Sequence, residues 1–103
     1  MTELQCKRCG DILRHYGAPE QRRQLMEECA ELIQAVSKLH RATPETSIHA
    51  FYNFVEELAD VEIMVEQMKQ TLTPEELDRL GQIETAKINR QLRRIAFEEL
   101  NYD

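Results

Sequence analysis

Glycine and proline are scarce, with three of each in 103 residues. So few turn formers exclude an all-β sandwich, whose many short strands need frequent turns. Gly10, Gly17 and Gly81 stand too far apart to write either G-x-G-x-x-G or a Walker-type phosphate loop, so any nucleotide must be held by other means. Cysteine is also sparse. Three thiols are an odd count and give no disulfide framework. Cys6-Lys7-Arg8-Cys9 resembles half a zinc knuckle, but no second C-x-x-C follows and a structural zinc wants about four ligands, so buried apolar cysteines are expected. No apolar run approaches the ~20 residues of a membrane span. The segment Met1 to Cys6 has no apolar signal core, and a cytoplasmic protein without membrane association is expected. Basic residues are outnumbered 13 to 19, and the net charge of -6 argues against binding a nucleic-acid backbone.

What the chain does have is helix formers, with 31% charged and 42% hydrophobic residues. Punctuation divides it into four segments. The first runs from about Thr2 to Tyr16 and stops at Gly17, a residue suited to a left-handed C-cap. The second opens at Pro19 and continues to about Arg41, and Ala42-Thr43-Pro44 breaks it. The third spans about Ser47 to Thr71. The fourth begins at Thr73-Pro74-Glu75-Glu76, a capping box with proline at the first helical position, and runs to about Leu100. This pattern predicts an all-α fold, an antiparallel bundle of about four helices forming one domain over residues 1–103.

The charge is unevenly placed: residues 24–84 carry a net -9, with mildly basic ends. On a helical wheel the second segment has an apolar arc of Leu25, Cys29, Leu32, Val36 and Leu39. Glu28 lies on its edge, Glu31 one step nearer solvent, and Glu27 points away. The third has an arc of Ala50, Phe54, Val61, Met64, Val65 and Met68, and Glu57 falls inside it. Asp60 and Asn53 border the same edge, whereas Glu56, Glu62 and Glu66 project elsewhere. A carboxylate on a core-facing stripe is costly unless compensated. Packed face to face, the two helices gather Glu28, Glu31, Glu57 and Asp60, and few bases are nearby to neutralise them. A hard divalent cation answers the problem, and an all-carboxylate ligand set favours Mg2+, with Mn2+ as a substitute, over Zn2+.

At these same residues the chain resembles the MazG-like, all-α nucleoside triphosphate pyrophosphohydrolases. Their signature, E-E-x-x-E then E-x-x-D, is written here as Glu27-Glu28-Cys29-Ala30-Glu31 and Glu57-Leu58-Ala59-Asp60, with 25 residues between. The flanking text, EECAELIQAVSK from Glu27 and EELADVEIMVEQ from Glu56, is similar to small bacterial and phage-type members. The resemblance covers roughly residues 13–95. It implies that Glu28, Glu31, Glu57 and Asp60 are the catalytic Mg2+ ligands, and that the reaction converts a (d)NTP to the monophosphate and pyrophosphate. Phosphoribosyl-ATP pyrophosphohydrolases share both half-motifs. There the text after E-x-x-D typically reads like LYHLLV, whereas here Val61 to Val65 is VEIMV. A catalytically inactive helical interaction module is the alternative from another class, but it has no use for Glu57 in an apolar arc.

Lys87, Arg90 and Arg94 form a cationic stripe at i, i+3 and i+7 on the fourth segment. Related proteins place basic residues at a similar distance past the acidic motif, which implies a phosphate-binding role for these three; Arg93 reads as surface. Asn53 is a candidate contact for base or sugar. His15, His40 and His49 have no ligand spacing, and Phe51, Tyr52 and Phe54 read as core or interface. Ile48, Tyr52, Val55, Ala59 and Ile63 line a second apolar side of the third segment. A helix apolar on two sides packs on two sides, so a homo-oligomer, dimer or tetramer, is expected.

Overall fold

The computed structural model describes residues 1–101, and among them every regular element is helical: α1 (Glu3–Tyr16), α2 (Ala18–His40), α3 (Ser47–Lys69) and α4 (Pro74–Leu100). The boundaries fall where local chemistry puts them. Thr2 opens α1 with a capping box: its hydroxyl accepts from the Gln5 N–H at 3.0 Å, and the Gln5 side chain accepts from the Thr2 N–H at 2.8 Å. Thr73 and Glu76 make the same reciprocal pair at the start of α4, at 3.1 and 2.8 Å, with Pro74 behind the cap as expected. Between α2 and α3 the chain turns through Thr43 and Thr46, whose backbone and hydroxyls bond each other.

Gly17 differs from the expected left-handed cap. Its φ of 86° is positive, but its ψ of 154° lies outside the left-handed helical region. The reason is double duty. Gly17 ends α1, donating its N–H to Leu13 O, and is also the residue that starts α2, a position that takes extended ψ. That combination of angles is essentially confined to glycine.

The chain divides into two compact units, Met1–Thr71 with α1 to α3, and Leu72–Asp103 with α4. In the first unit α2 and α3 form the principal contact and α1 packs against both. Its fully buried apolar side chains are small or flexible: Cys9, Ala35, Ala50 and Met64. Gln21 and Gln67 are buried with them, and Gln67 is only 1% exposed. Gln21 Nε2 donates to Gln67 Oε1 at 2.7 Å, and Gln67 Nε2 lies 3.8 Å from Met64 Sδ. This amide pair fixes α2 and α3 as antiparallel neighbours in a definite register. Seven residues, or two turns, forward from Gln21 is Glu28, and two turns back from Gln67 is Asp60. Three residues further, Glu31 comes opposite Glu57.

The wheel arcs include two positions that this seam leaves open. Val36 and Val65, expected in the core, are 47% and 40% exposed, while Ala35 and Met64 beside them are buried. Between α1 and α3, Gln70 Nε2 donates to Cys6 O at 2.7 Å and to Glu66 at 2.9 Å. A Cβ at Gly10 would sit 2.5 Å from Gln70 Oε1, so a larger residue there would displace the end of the Gln70 side chain. No helix among the described residues is long and apolar enough to cross a membrane.

Candidate metal centre

The α2–α3 register brings one carboxylate oxygen from each of Glu28, Glu31, Glu57 and Asp60 within 4.8 Å of all the others. Glu28 and Glu57 are half-buried, and Glu31 and Asp60 form the open side. Each helix supplies two acids three residues apart, a spacing that keeps both on one face. Two unit charges about 4.8 Å apart repel by about 1 kcal/mol in water and about 3–4 kcal/mol at an effective dielectric of ~20. The burial of Glu28 and Glu57 moves the cluster toward the larger value.

Nothing on the first unit neutralises it. The ion pairs among the described residues are Arg14 with Asp11 and Arg23 with Glu20, each within its own helix. Glu28 Oε1 accepts from Gln24 Nε2 at 2.8 Å, one turn earlier on α2. Oε2 of Glu28 and Oε2 of Glu57 are buried without a hydrogen-bond donor. A buried carboxylate oxygen left unpaired is strongly disfavoured. The Asp60 carboxyl beside them has its proton affinity raised above the ordinary value. Desolvation is the main cause, the Glu28 charge adds to it, and the proton is shared in a hydrogen bond with Glu28. Glu28 therefore gains a donor only while Asp60 stays protonated, and Glu57 gains none.

These observations fit a hard cation. Four carboxylate oxygens within 4.8 Å of one another are close enough for one small cation to gather them by side-chain adjustment. Four carboxylates and no nitrogen or sulfur match Mg2+ and Mn2+ better than Zn2+.

Of the other residues singled out by sequence, Asn53 is half-buried on α3, one turn before Glu57. Lys87, Arg90 and Arg94 are exposed on α4, in the second unit, and Arg90 and Arg94 line a shallow depression with Arg93 and Phe97. Glu27, Glu56 and Glu62 are solvent-exposed, as their wheel positions predict. Glu66 is not. It is half-buried, accepts from Gln70, and helps burial push the Cys9 thiol up. Cys9 is thus buried and kept protonated, as expected for a packing residue, and the three histidines are exposed. The sequence reading missed Gln21, Gln24 and Gln67. The available signal was their alignment, since Gln21, Gln24, Glu28 and Glu31 follow one another at helical spacing.

Comparison with known protein families, with curated proteins and with solved structures returns no match.

Proposed function

We propose that the chain is a MazG-like, Mg2+-dependent nucleoside triphosphate pyrophosphohydrolase, converting a (d)NTP to (d)NMP and pyrophosphate. The observation that carries this reading is the convergence of Glu28, Glu31, Glu57 and Asp60, with two buried oxygens that no protein donor satisfies. These are the residues at which the sequence writes the two acidic half-motifs.

Glu28, Glu31, Glu57 and Asp60 would hold the metal. When bound, Mg2+ supplies charge neutralisation for the phosphates and lowers the pKa of a water. The protein's own part begins with charge: four carboxylates make a site that attracts a divalent cation and repels a bare triphosphate, so substrate enters with its metal. The open side at Glu31 and Asp60 leaves room for phosphate oxygens and solvent. Any carboxylate not engaged by metal can accept the proton of the attacking water. Lys87, Arg90 and Arg94 would cover the remaining phosphate charge, and Asn53 would meet the base or sugar.

Assembly belongs to the same proposal. Ile48 and Tyr52 are 73% and 64% exposed, and Val55 and Ala59 continue that side of α3 toward half-buried Ile63. A homo-oligomer with this side at a two-fold axis would cover it. Sedimentation should give about 24 or 48 kDa rather than the 12.1 kDa of one chain. For the activity, the test is a turnover screen of canonical and damaged (d)NTPs and phosphoribosyl-ATP with Mg2+, Mn2+ or Ca2+. Pyrophosphate and a monophosphate formed in one step support the reading. Orthophosphate and a diphosphate as primary products, or no turnover of any of them, overturn it.

A further inference from the structure

Glu28 is the one acid of the cluster with a side-chain amide bonded to it: Gln24 Nε2 donates to Oε1 at 2.8 Å, and the other oxygen, Oε2, is buried without a donor. The two residues are four apart on α2, a spacing that stacks side chains on one face, and both are half-buried. We propose that Gln24 is a positioning residue of the metal centre, one that occupies Oε1 of Glu28 and thereby presents Oε2 as the ligand. This rests on the metal-binding reading above.

The choice of side chain supports the assignment. A half-buried carboxylate can be satisfied by lysine or arginine, but a cation beside Glu28 would neutralise the site and compete with the metal. Glutamate would add another repelling charge. An amide donates a hydrogen bond at no cost in net charge, so Glu28 is oriented while the cluster keeps its attraction for a divalent ion. Buried carboxylate ligands need such a partner because rotation about their last bond otherwise exchanges the two oxygens. Partners of this kind are worth about 10–100-fold in metal affinity.

Mn2+ binding to the whole protein, followed by the electron paramagnetic resonance of the free ion, tests the proposal without any substrate. Gln24→Ala and Gln24→Leu should each weaken Mn2+ binding about 10–100-fold. Their thermal midpoints in EDTA should stay close to wild type, because alanine and leucine favour the helix. Gln34→Ala, at an exposed position on α2, should leave affinity unchanged. In a Glu28→Gln background, Gln24→Ala should cost less than about 2-fold, since the residue acts through Glu28. Wild-type affinity in both Gln24 variants overturns this proposal and leaves the metal reading intact, as does an undiminished loss in the Glu28→Gln background. A lowered midpoint in EDTA with unchanged Mn2+ affinity assigns Gln24 a packing role and also overturns it. If the wild-type protein does not bind Mn2+ at all, the metal reading falls and the positioning role falls with it.

Discussion

Two polar clusters interrupt the seam between α2 and α3, two helical turns apart, and they are built on opposite principles. Gln21 and Gln67 are neutral, almost completely buried, and joined by a 2.7 Å hydrogen bond, with Met64 Sδ near the free end of Gln67. Glu28, Glu31, Glu57 and Asp60 are acidic, partly open, and include two buried oxygens without a donor. A satisfied buried amide pair specifies a register, because sliding either helix by one residue breaks it. An unsatisfied acidic cluster specifies nothing about the fold and weakens it. The first cluster sits in the register at which the second converges, so the glutamines account for structure and the acids, on the proposed function, for a ligand.

The sharpest way to break that division is at the acids. Glu57→Gln should lower pyrophosphate release by at least about 100-fold, because it removes a ligand from the buried side. Glu56→Gln, one residue away and exposed, should be nearly neutral. Equal losses in the two variants would mean that the cluster is not the site. The next effect in size is stabilisation by metal. A ligand bound only to the folded state at about 100 times its Kd adds about 2.7 kcal/mol, on the order of 10 °C in the melting of a small domain. Mg2+ or Mn2+ should therefore raise the Tm of the wild type, EDTA should reverse the shift, and Glu57→Gln should abolish most of it. In EDTA, Glu57→Gln should melt no lower than wild type, since a repelling cluster loses one charge.

The acidic half of this comparison was legible in the sequence and the amide half was not. A charge inside an apolar arc is a contradiction that helical periodicity alone exposes, which is why Glu57 led to its three neighbours. A glutamine raises no such contradiction, since it is common on exposed helix faces and can also be buried when paired. The arcs were therefore centred on bulky apolar residues. That drew Val36 and Val65 into the expected core and left Gln21 and Gln67 out of it. Small side chains weigh little on a wheel: Ala35 is buried yet was left out of its arc, whereas Ala50 and Met64, also buried, were inside theirs. Helix boundaries were readable wherever a cap was written, as at Thr73. The capping box at Thr2, completed by Gln5 rather than by glutamate, was not read, although the start of the first helix was placed beside it. Gly17 was read as a C-cap of α1, but its second role as the N-cap of α2 sets ψ and follows only from how short the connection is.

Breaking the amide pair should cost less than breaking the metal site, and should change stability rather than chemistry. Gln67→Leu leaves the Gln21 amide buried with no acceptor, a loss of about 1–3 kcal/mol, read as a lower Tm in EDTA. The double variant Gln21→Leu/Gln67→Leu should recover part of that loss, because no polar group is then stranded. If the register argument holds, the double variant should still bind Mn2+ more weakly than wild type. Recovered stability together with wild-type Mn2+ affinity would show that packing alone sets the alignment.

The smallest expected effect is on pH dependence, and it sharpens the comparison because metal reverses its sign. In the metal-free protein the Asp60 carboxyl holds its proton above the ordinary value near 3.8. The folded state then binds more protons than the unfolded one through this window, so Asp60 makes stability fall as pH rises from below that value to beyond the raised one. Bound metal favours the ionised carboxylate, and the same residue should then add stability as pH rises. Other carboxyls titrate nearby, among them Glu76, whose capping bonds hold it low, so the informative quantity is the difference between wild type and Asp60→Asn. In EDTA the asparagine variant should equal or exceed wild type in Tm at pH values above the raised one, since it lacks the proton that wild type must give up. With Mg2+ the order should invert, because asparagine is the weaker ligand for a hard cation. A difference between the two proteins that keeps one sign in both conditions would remove Asp60 from the metal centre while leaving the other three acids in place.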